Sequence, residues 1–557
     1  MKQTFKGEQL NFFNLLDLEK KITTQPTHIV FENDVNFPIV DFEKYRFYNL
    51  EQYENDVLQT GLQHTWRKII HFVLNNGAVS DFLSWQNFAE MYEKGLALQN
   101  KQSKKEEGQY YSPDDVAWLM ADWFDAQSGE NVCDVACGTG KLILTYLDLI
   151  GKDKAIDLIF NGKLFLYDSD EVALDICKTI LLLKYGKRAE PFIHIQYGDF
   201  LSKNINLPEN CKVIANPPYS TINKINYDWD ITDVGLGTKE LYAMFMEKIL
   251  RQSKSAVIIT PYSFIGGSKF YPLRKVMNNY NGFIVSFDNV PGNIFSGRKH
   301  GIFNTNTSNS VRAAITVVEN KDNYKGFKTT PLIRFKNDER TKLLKTDVLQ
   351  SFIDNEYQIV DKERMMYCKC AKELKAVWNI WQEVSTKCLG EYIGQNGQNG
   401  QNIISMPNTC RYFTTASNAL MHRNGQIVLT VKDKDVFNYL YCLINSSFAY
   451  WYWRMFDGGI TYSKSLLLSM PVFYDQLSAD DILFFRETAT EMIEKSKEYI
   501  IIKNNCGKQE NIKYPKKYRD KINRRLLDIL ELKNIDEKVF DNIHKNSIFG
   551  VQEKDER

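Results

Sequence analysis

The residues most able to do chemistry stand where an apolar run breaks off, in Val213-Ile214-Ala215-Asn216-Pro217-Pro218-Tyr219-Ser220. Proline donates no backbone hydrogen bond and fixes its own φ, so a strand entering this stretch must stop there. The strand gives way to a rigid turn carrying a carboxamide and an aromatic face. Three other apolar runs also end in residues of chemical interest. The first leads into Asp134-Val135-Ala136-Cys137-Gly138-Thr139-Gly140-Lys141, where small residues permit a tight turn and close approach of backbone to a ligand. Val135 stands where a phosphate loop needs its first glycine, Leu142 where it needs Ser or Thr, and Ile143 occupies the third glycine's place in a dinucleotide fingerprint. The second run ends in Tyr167-Asp168-Ser169-Asp170, a carboxylate able to accept from both hydroxyls of a ribose. The third ends in Gly198-Asp199-Phe200, a carboxylate beside a ring and suited to an adenine's amine and face. Each acid alone is more often a helix N-cap or a solvated turn. Three in order, followed by Asn-Pro-Pro-Tyr, are hard to obtain by accident.

These turns need a scaffold that lines them up on one edge. Between about 130 and 320, short apolar runs ("VCDVA", "KLFLYD", "FIHIQYGD", "KVIANPP", "SAVIITP", "GFIVSFDNV", "VRAAITVVEN") alternate with helical segments. That alternation predicts a doubly wound, mostly parallel sheet, whose ligands bind at the carboxyl ends of its strands. Upstream, Trp66, Ile69, Ile70, Phe72 and Val73, then Phe82, Trp85, Phe88 and Met91, have helical spacing. Lys101–Gly108 reads as a charged linker, and "GQNGQNGQN" at 394–402 as a polar loop. Helical periodicity returns from about 478. The expected divisions are 1–105, a helical region; 106–325, the sheet domain; 326–477, an α+β domain; and 478–557, a helical segment.

The chain of 557 residues is 43% hydrophobic and 25% charged, as in ordinary globular proteins. Its formal charge is only +1, so a nucleic-acid surface must come from local clustering. The first residues lead into no long apolar stretch and no window approaches a membrane span, so a cytoplasmic protein without membrane contact is expected. Ten scattered cysteines include no C-x-x-C pair, which fits reduced thiols and no metal site.

Taken together, the motifs resemble those of DNA adenine-N6 methyltransferases of the gamma motif order, which depend on S-adenosylmethionine. Gly108-Gln109-Tyr110-Tyr111-Ser112-Pro113 resembles the element that precedes the glycine turn in that family. "TKELYAMFMEKIL" and "AVIITPYSFIGGSKFYPLRK" resemble its next helix and strand, and the likeness covers about 108–320. It implies a sheet of the class I methyltransferase type and a target-recognition domain over 326–477. It implies a cofactor site made of Tyr110, Tyr111, Ser112, Asp134, Ala136, Cys137, Gly138, Gly140, Asp168, Asp199 and Phe200. It also implies catalysis by Asn216, Pro217, Pro218 and Tyr219, with a flipped base stacked between Tyr219 and Phe295. An adenine amine is a poor nucleophile because its lone pair is delocalised. The Asn216 side-chain carbonyl and Pro217 backbone carbonyl would grip its hydrogens and localise that pair.

Double-stranded DNA is the expected partner, with a separate restriction endonuclease or specificity subunit alongside. The run 513–525 supplies phosphate candidates in Lys513, Lys516, Lys517, Arg519, Arg524 and Arg525, against the competing reading of a solvated helical face. The aromatic run Phe448–Phe456 reads as core, with Arg454 a weaker DNA candidate. Leu443–Ser447 resembles part of a recognition region. Enzymes that methylate ribosomal RNA guanine or a protein glutamine share Asn-Pro-Pro-Tyr, and a non-catalytic DNA-binding specificity module is a further alternative.

Overall fold

The computed structural model describes residues 50–76, 89, 91–93, 95–96, 98, 112–126, 129–222, 228–295, 311–319, 325–353, 365–394, 402–504 and 507–550. The linker 101–108, Tyr110, Tyr111, Phe82, Trp85, Phe88 and nearly all of the "GQN" repeat lie outside them. Eight strands form one sheet: β1 (Asn131–Asp134), β2 (Leu164–Asp168), β3 (Ile193–Tyr197), β4 (Cys211–Ala215), β5 (Ser255–Pro261), β6 (Asn281–Phe287), β7 (Ala313–Val318) and β8 (Gly326–Thr329). Their order is β3-β2-β1-β4-β5-β7-β6-β8. Pairs from β3 through β5 are parallel, β7 runs antiparallel to β5 and β6, and β8 is parallel to β6. This is the mostly parallel α/β sheet expected from the alternation of apolar runs and helical segments.

The strand order reverses between β1 and β4, so their carboxyl ends flank the switch point where such sheets bind ligands. Register places Asp134 beside Ile214, two residues before Asn216. β4 ends at Ala215, as the two prolines require. Apolar side chains on both faces, such as Val213, Ile214, Ile258 and Ile259, are buried, which explains runs without alternation.

Helices α1 (Leu50–Thr60), α2 (Leu62–Asn76), α3 (Asp114–Trp123), α4 (Lys141–Ile150), α5 (Glu171–Tyr185) and α6 (Leu241–Gln252) position the site. In α2, Trp66, Ile69 and Val73 are buried at the predicted spacing. Trp66 donates through Nε1 to the Tyr53 hydroxyl of α1 (3.0 Å) and meets Tyr92 edge to face. α5 is capped by Asp170, whose carboxylate accepts from the backbone of Val172 and Ala173, both at 3.1 Å.

Beyond the sheet, β9 (Asn402–Pro407) pairs antiparallel with β10 (Gln426–Val431). Helices α7 (Lys434–Ile444), α8 (Ser447–Phe456) and α9 (Ala479–Glu494) follow, then the ribbon β11 (Ile500–Asn504) and β12 (Lys508–Ile512), and finally α10 (Lys516–Ile529). Three features differ from the sequence expectation. β8 carries the sheet past residue 325. The ribbon interrupts the segment expected to be helical, because Ile500–Ile502 and Gly507 favour strand and turn over helix. Residues on α9 and α10, including Phe485, Ile522 and Leu526, share one apolar core with α7 and α8, so the last segment completes that unit.

Every residue of α8 is buried, which places its aromatic run in the core as expected. Arg454 is buried too and does not reach a DNA surface. It joins Arg312 and Arg334 around Asp288, at 2.6, 2.9 and 2.9 Å respectively. Burial opposes ionisation of Asp288, yet these guanidiniums hold its carboxyl far below the usual range. Within Leu443–Ser447, Asn445 accepts from Ala416, Ser446 caps α8, and the Ser447 N–H donates to Asn523, so the motif locks the core.

Candidate functional site

A cavity of about 910 Å³ opens at the carboxyl edge of β1, β2 and β4. Its walls include Ser112, the 135–139 turn, Asp168, Asp199, Phe200, Asn216 and Pro218. The structure therefore brings the glycine turn and the Asn-Pro-Pro-Tyr turn to one space, although 78 residues separate Gly138 from Asn216.

The glycine turn is built by its backbone. Gly140 donates to the Cys137 carbonyl (2.9 Å), and the Cys137 N–H donates to the Tyr167 carbonyl on β2 (3.1 Å). Gly138 and Gly140 have φ of +53° and +90°, conformations that disfavour side chains. No atom lies within 4 Å of a Cβ built on Gly138, whereas one on Gly140 would meet Cys177 Sγ at 2.4 Å. Lys141 pairs with Asp114, which ties the turn to α3.

Asp134 and Asp168 answer to different surroundings. Burial pushes the Asp134 carboxyl up to about 8, against a long N–H contact from Ala136 and with the Asp168 charge adding to the rise. Asp168 is half-buried and accepts from Gly138 N–H (2.6 Å) and Asp170 N–H (2.8 Å). Its carboxyl is raised to about 6, burial outweighing those donors. Asp199 accepts from Leu201 N–H (3.0 Å) and Trp229 Nε1–H (2.6 Å). The Phe200 ring is buried against Tyr167 and Phe245, with Lys248 Nζ 4.8 Å from its centroid.

Just past β4, Asn216 Nδ2 donates to Ser112 Oγ (3.2 Å), so a residue before α3 orients the carboxamide. Pro217 is buried; Pro218 and Tyr219 are half-buried. The Tyr219 hydroxyl donates to the Ile259 carbonyl on β5 (3.2 Å), which fixes the ring from the next strand. Phe295 lies 6.1 Å from Tyr219 but meets it edge to face at 64°, not as the parallel wall that stacking a base would use. The Phe295 N–H donates to the Asn293 side-chain carbonyl (2.8 Å), and Arg340 holds the two residues before it, donating to the carbonyls of Asn293 and Ile294 and pairing with Asp115.

Several wall residues carried no sequence signal. Tyr92 donates to the Asp170 carboxylate (2.6 Å), and with Leu62 and Leu96 brings the N-terminal helices to the cavity. Trp229 reaches Asp199 from a segment without a motif. Thr139 and Ser220 stand in or beside the two turns, and each buries a hydroxyl with no hydrogen-bond partner among the described residues. Such hydroxyls, an open Gly138 and two carboxylates fit a polar, hydroxyl-bearing ligand.

The basic run does not form one free face. Lys516 pairs with Asp520 and Asp541, Arg524 with Asp528 and Glu537, and Arg525 with Asp481. Burial lowers the Arg519 pKa. Lys513 and Lys517 are exposed.

No helix among the described residues is long and apolar enough to cross a membrane. A DrdV–DNA complex solved by cryo-electron microscopy is similar with a TM-score of 0.48 and 12% identity, over 81% of this chain and 65% of that one. A type I restriction enzyme MpnII methylase subunit of Mycoplasma pneumoniae is 22% identical over 241 residues, 38% of this chain and 41% of the relative. The EcoEI methylase subunit of Escherichia coli is 25% identical over 250 residues, 42% of this chain and 50% of the relative. The chain thus spans half or less of these relatives' lengths. The family model for N-6 DNA methylases matches residues 84–379, more than half of the 557 residues, and the chain belongs to that family.

Proposed function

We propose that this protein is a site-specific DNA methyltransferase acting on the N6 amine of adenine with S-adenosylmethionine, within a restriction–modification or related defence system. The observation that carries this reading is the shared cavity: the glycine turn and Asn216 line one space. The relatives named as methylase subunits of type I restriction enzymes support it and suggest a specificity or restriction partner beside duplex DNA.

Asp168 and the Gly138 backbone would hold the ribose end of the cofactor, Asp199 and Phe200 its adenine, and Ser112 and Asp134 its amino-acid end. When bound, the cofactor supplies an electrophilic methyl group on a sulfonium. The Asn216 side-chain carbonyl and the Pro217 backbone carbonyl would accept hydrogen bonds from the target amine, drawing the nitrogen toward tetrahedral geometry and exposing its lone pair. No strong base is needed, because the proton departs once the nitrogen is cationic. Flipping the base costs a few kcal/mol, and stacking on Tyr219 returns about 1–3 kcal/mol.

Expression in a host without adenine methylation, followed by single-molecule sequencing, should reveal N6-methyladenine in one motif. Asn216→Ala should abolish it while cofactor binding, measured by calorimetry, stays close to wild type. Methylated ribosomal RNA or protein with unmodified DNA would instead support the related RNA or protein N-methyltransferases. Cofactor binding with no transfer to any substrate would support a non-catalytic module.

A further inference from the structure

The C-terminal unit has a second surface that begins at the catalytic edge. Tyr262, which follows β5, donates its hydroxyl to the Asp457 carbonyl (2.6 Å). From there Thr461 bridges to Thr409, and the Tyr462 N–H donates to the Asn408 carbonyl (2.6 Å). Asn408, Ser463 and Lys464 line a groove of about 440 Å³ whose walls contain no acidic residue. Arg423 joins this groove to the ribbon, donating to Thr409 Oγ1 (3.1 Å) and to the Asn511 carboxamide. The Glu510 N–H on β12 donates to the His422 carbonyl (2.8 Å). Lys464 and, on the ribbon, Lys503 and Lys508 are exposed and make no ion pair among the described residues. β11 is exposed along its whole length.

We propose that duplex DNA lies along this surface, its phosphates contacted by Lys503 and Lys508 and its base edges read in the groove by Asn408 and Lys464. The inference rests on the methyltransferase reading, and it assigns phosphate contact to the ribbon instead of the ion-paired basic residues of α10. Asparagine matches the paired donor and acceptor of adenine, and lysine the acceptors of guanine. Lysines on phosphate carry affinity without sequence information. The Tyr262 contact to Asp457 ties the C-terminal unit to the end of β5, and Arg423 ties Thr409 to Asn511 of the ribbon, so these contacts would set the register between the motif and the target base.

The test uses the full chain and a fluorescent duplex carrying the motif mapped for wild type, read by anisotropy across salt concentrations. The Lys503→Glu/Lys508→Glu double variant should weaken binding on motif and random duplexes alike and reduce the slope of log affinity against log salt by about two. Asn408→Ala and Lys464→Met should each relax the methylated motif at one position, with discrimination there falling roughly 5- to 150-fold. Thermal midpoints matching wild type identify these as contact losses, not misfolding. Wild-type binding by the ribbon variant overturns the proposal, as does an unaltered motif in both groove variants. So does weakened binding in Lys517→Glu without weakening in the ribbon variant. Should wild type methylate no adenine, the enzyme reading fails separately, and anisotropy with the random duplex still decides the surface.

Discussion

Asn216 shows why residue type and residue setting must be argued together. Its carboxamide is an acceptor by chemistry, but its orientation comes from Ser112, 104 positions earlier. The same holds for the carboxylates. Asp134 is raised by burial to about 8 and Asp168 to about 6, so the folded chain keeps protons that the unfolded chain has released. Their contribution to stability is therefore fully present below the ordinary carboxylate value of about 4 and is lost as pH rises through about 6 and about 8. Asp134→Asn should raise the thermal midpoint of the ligand-free protein at pH 8 more than at pH 5, while weakening cofactor binding by calorimetry. An equal gain at both pH values would contradict the burial argument. At the catalytic turn, Asn216→Ala should lower kcat on the order of a hundredfold or more, since preorganised acceptors act on charge developing in the transition state.

At the scale of elements, the glycine turn separates two effects that sequence alone conflates. Gly140→Ala places a methyl against Cys177 in addition to its positive φ, and should cost about 2–5 kcal/mol in urea unfolding. Gly138→Ala meets only backbone strain of about 1–2 kcal/mol. Its methyl enters the open space beside the cavity, so it should lose cofactor affinity out of proportion to stability. Comparable stability losses in both would refute that distinction. Seven of the eight strands were legible because buried strands are apolar runs with turn residues at their ends; the four-residue β8 was not. The ribbon was not: the three isoleucines of β11 are exposed, and a two-stranded element with little burial leaves no distinctive pattern in the chain.

Across the whole molecule, the two units meet at Asp288, where three arginines from separate segments converge. Asp288→Ala would leave their guanidiniums without a counter-charge and should cost about 3–5 kcal/mol in urea unfolding at neutral pH. Because this carboxyl is held far below the usual range, the ion pairs contribute above about pH 4 and fail only as pH falls through the depressed value. A loss below about 1 kcal/mol would mean the cluster is incidental to the seam. Nothing in the sequence marks Asp288, and the charges of 513–525 say nothing about which are spent internally, since ion pairs form between residues distant in the chain. Seven strands of the sheet, the end of β4 and the order of motifs at its carboxyl edge could be read from the chain, because these depend on local pattern, proline geometry and strand connectivity. It took the folded packing to show that Tyr92 and Trp229 join the cavity, that Phe295 meets Tyr219 edge-on, and which basic residues pair internally. Those facts depend on packing between segments far apart in sequence, and that packing leaves no periodic trace in either.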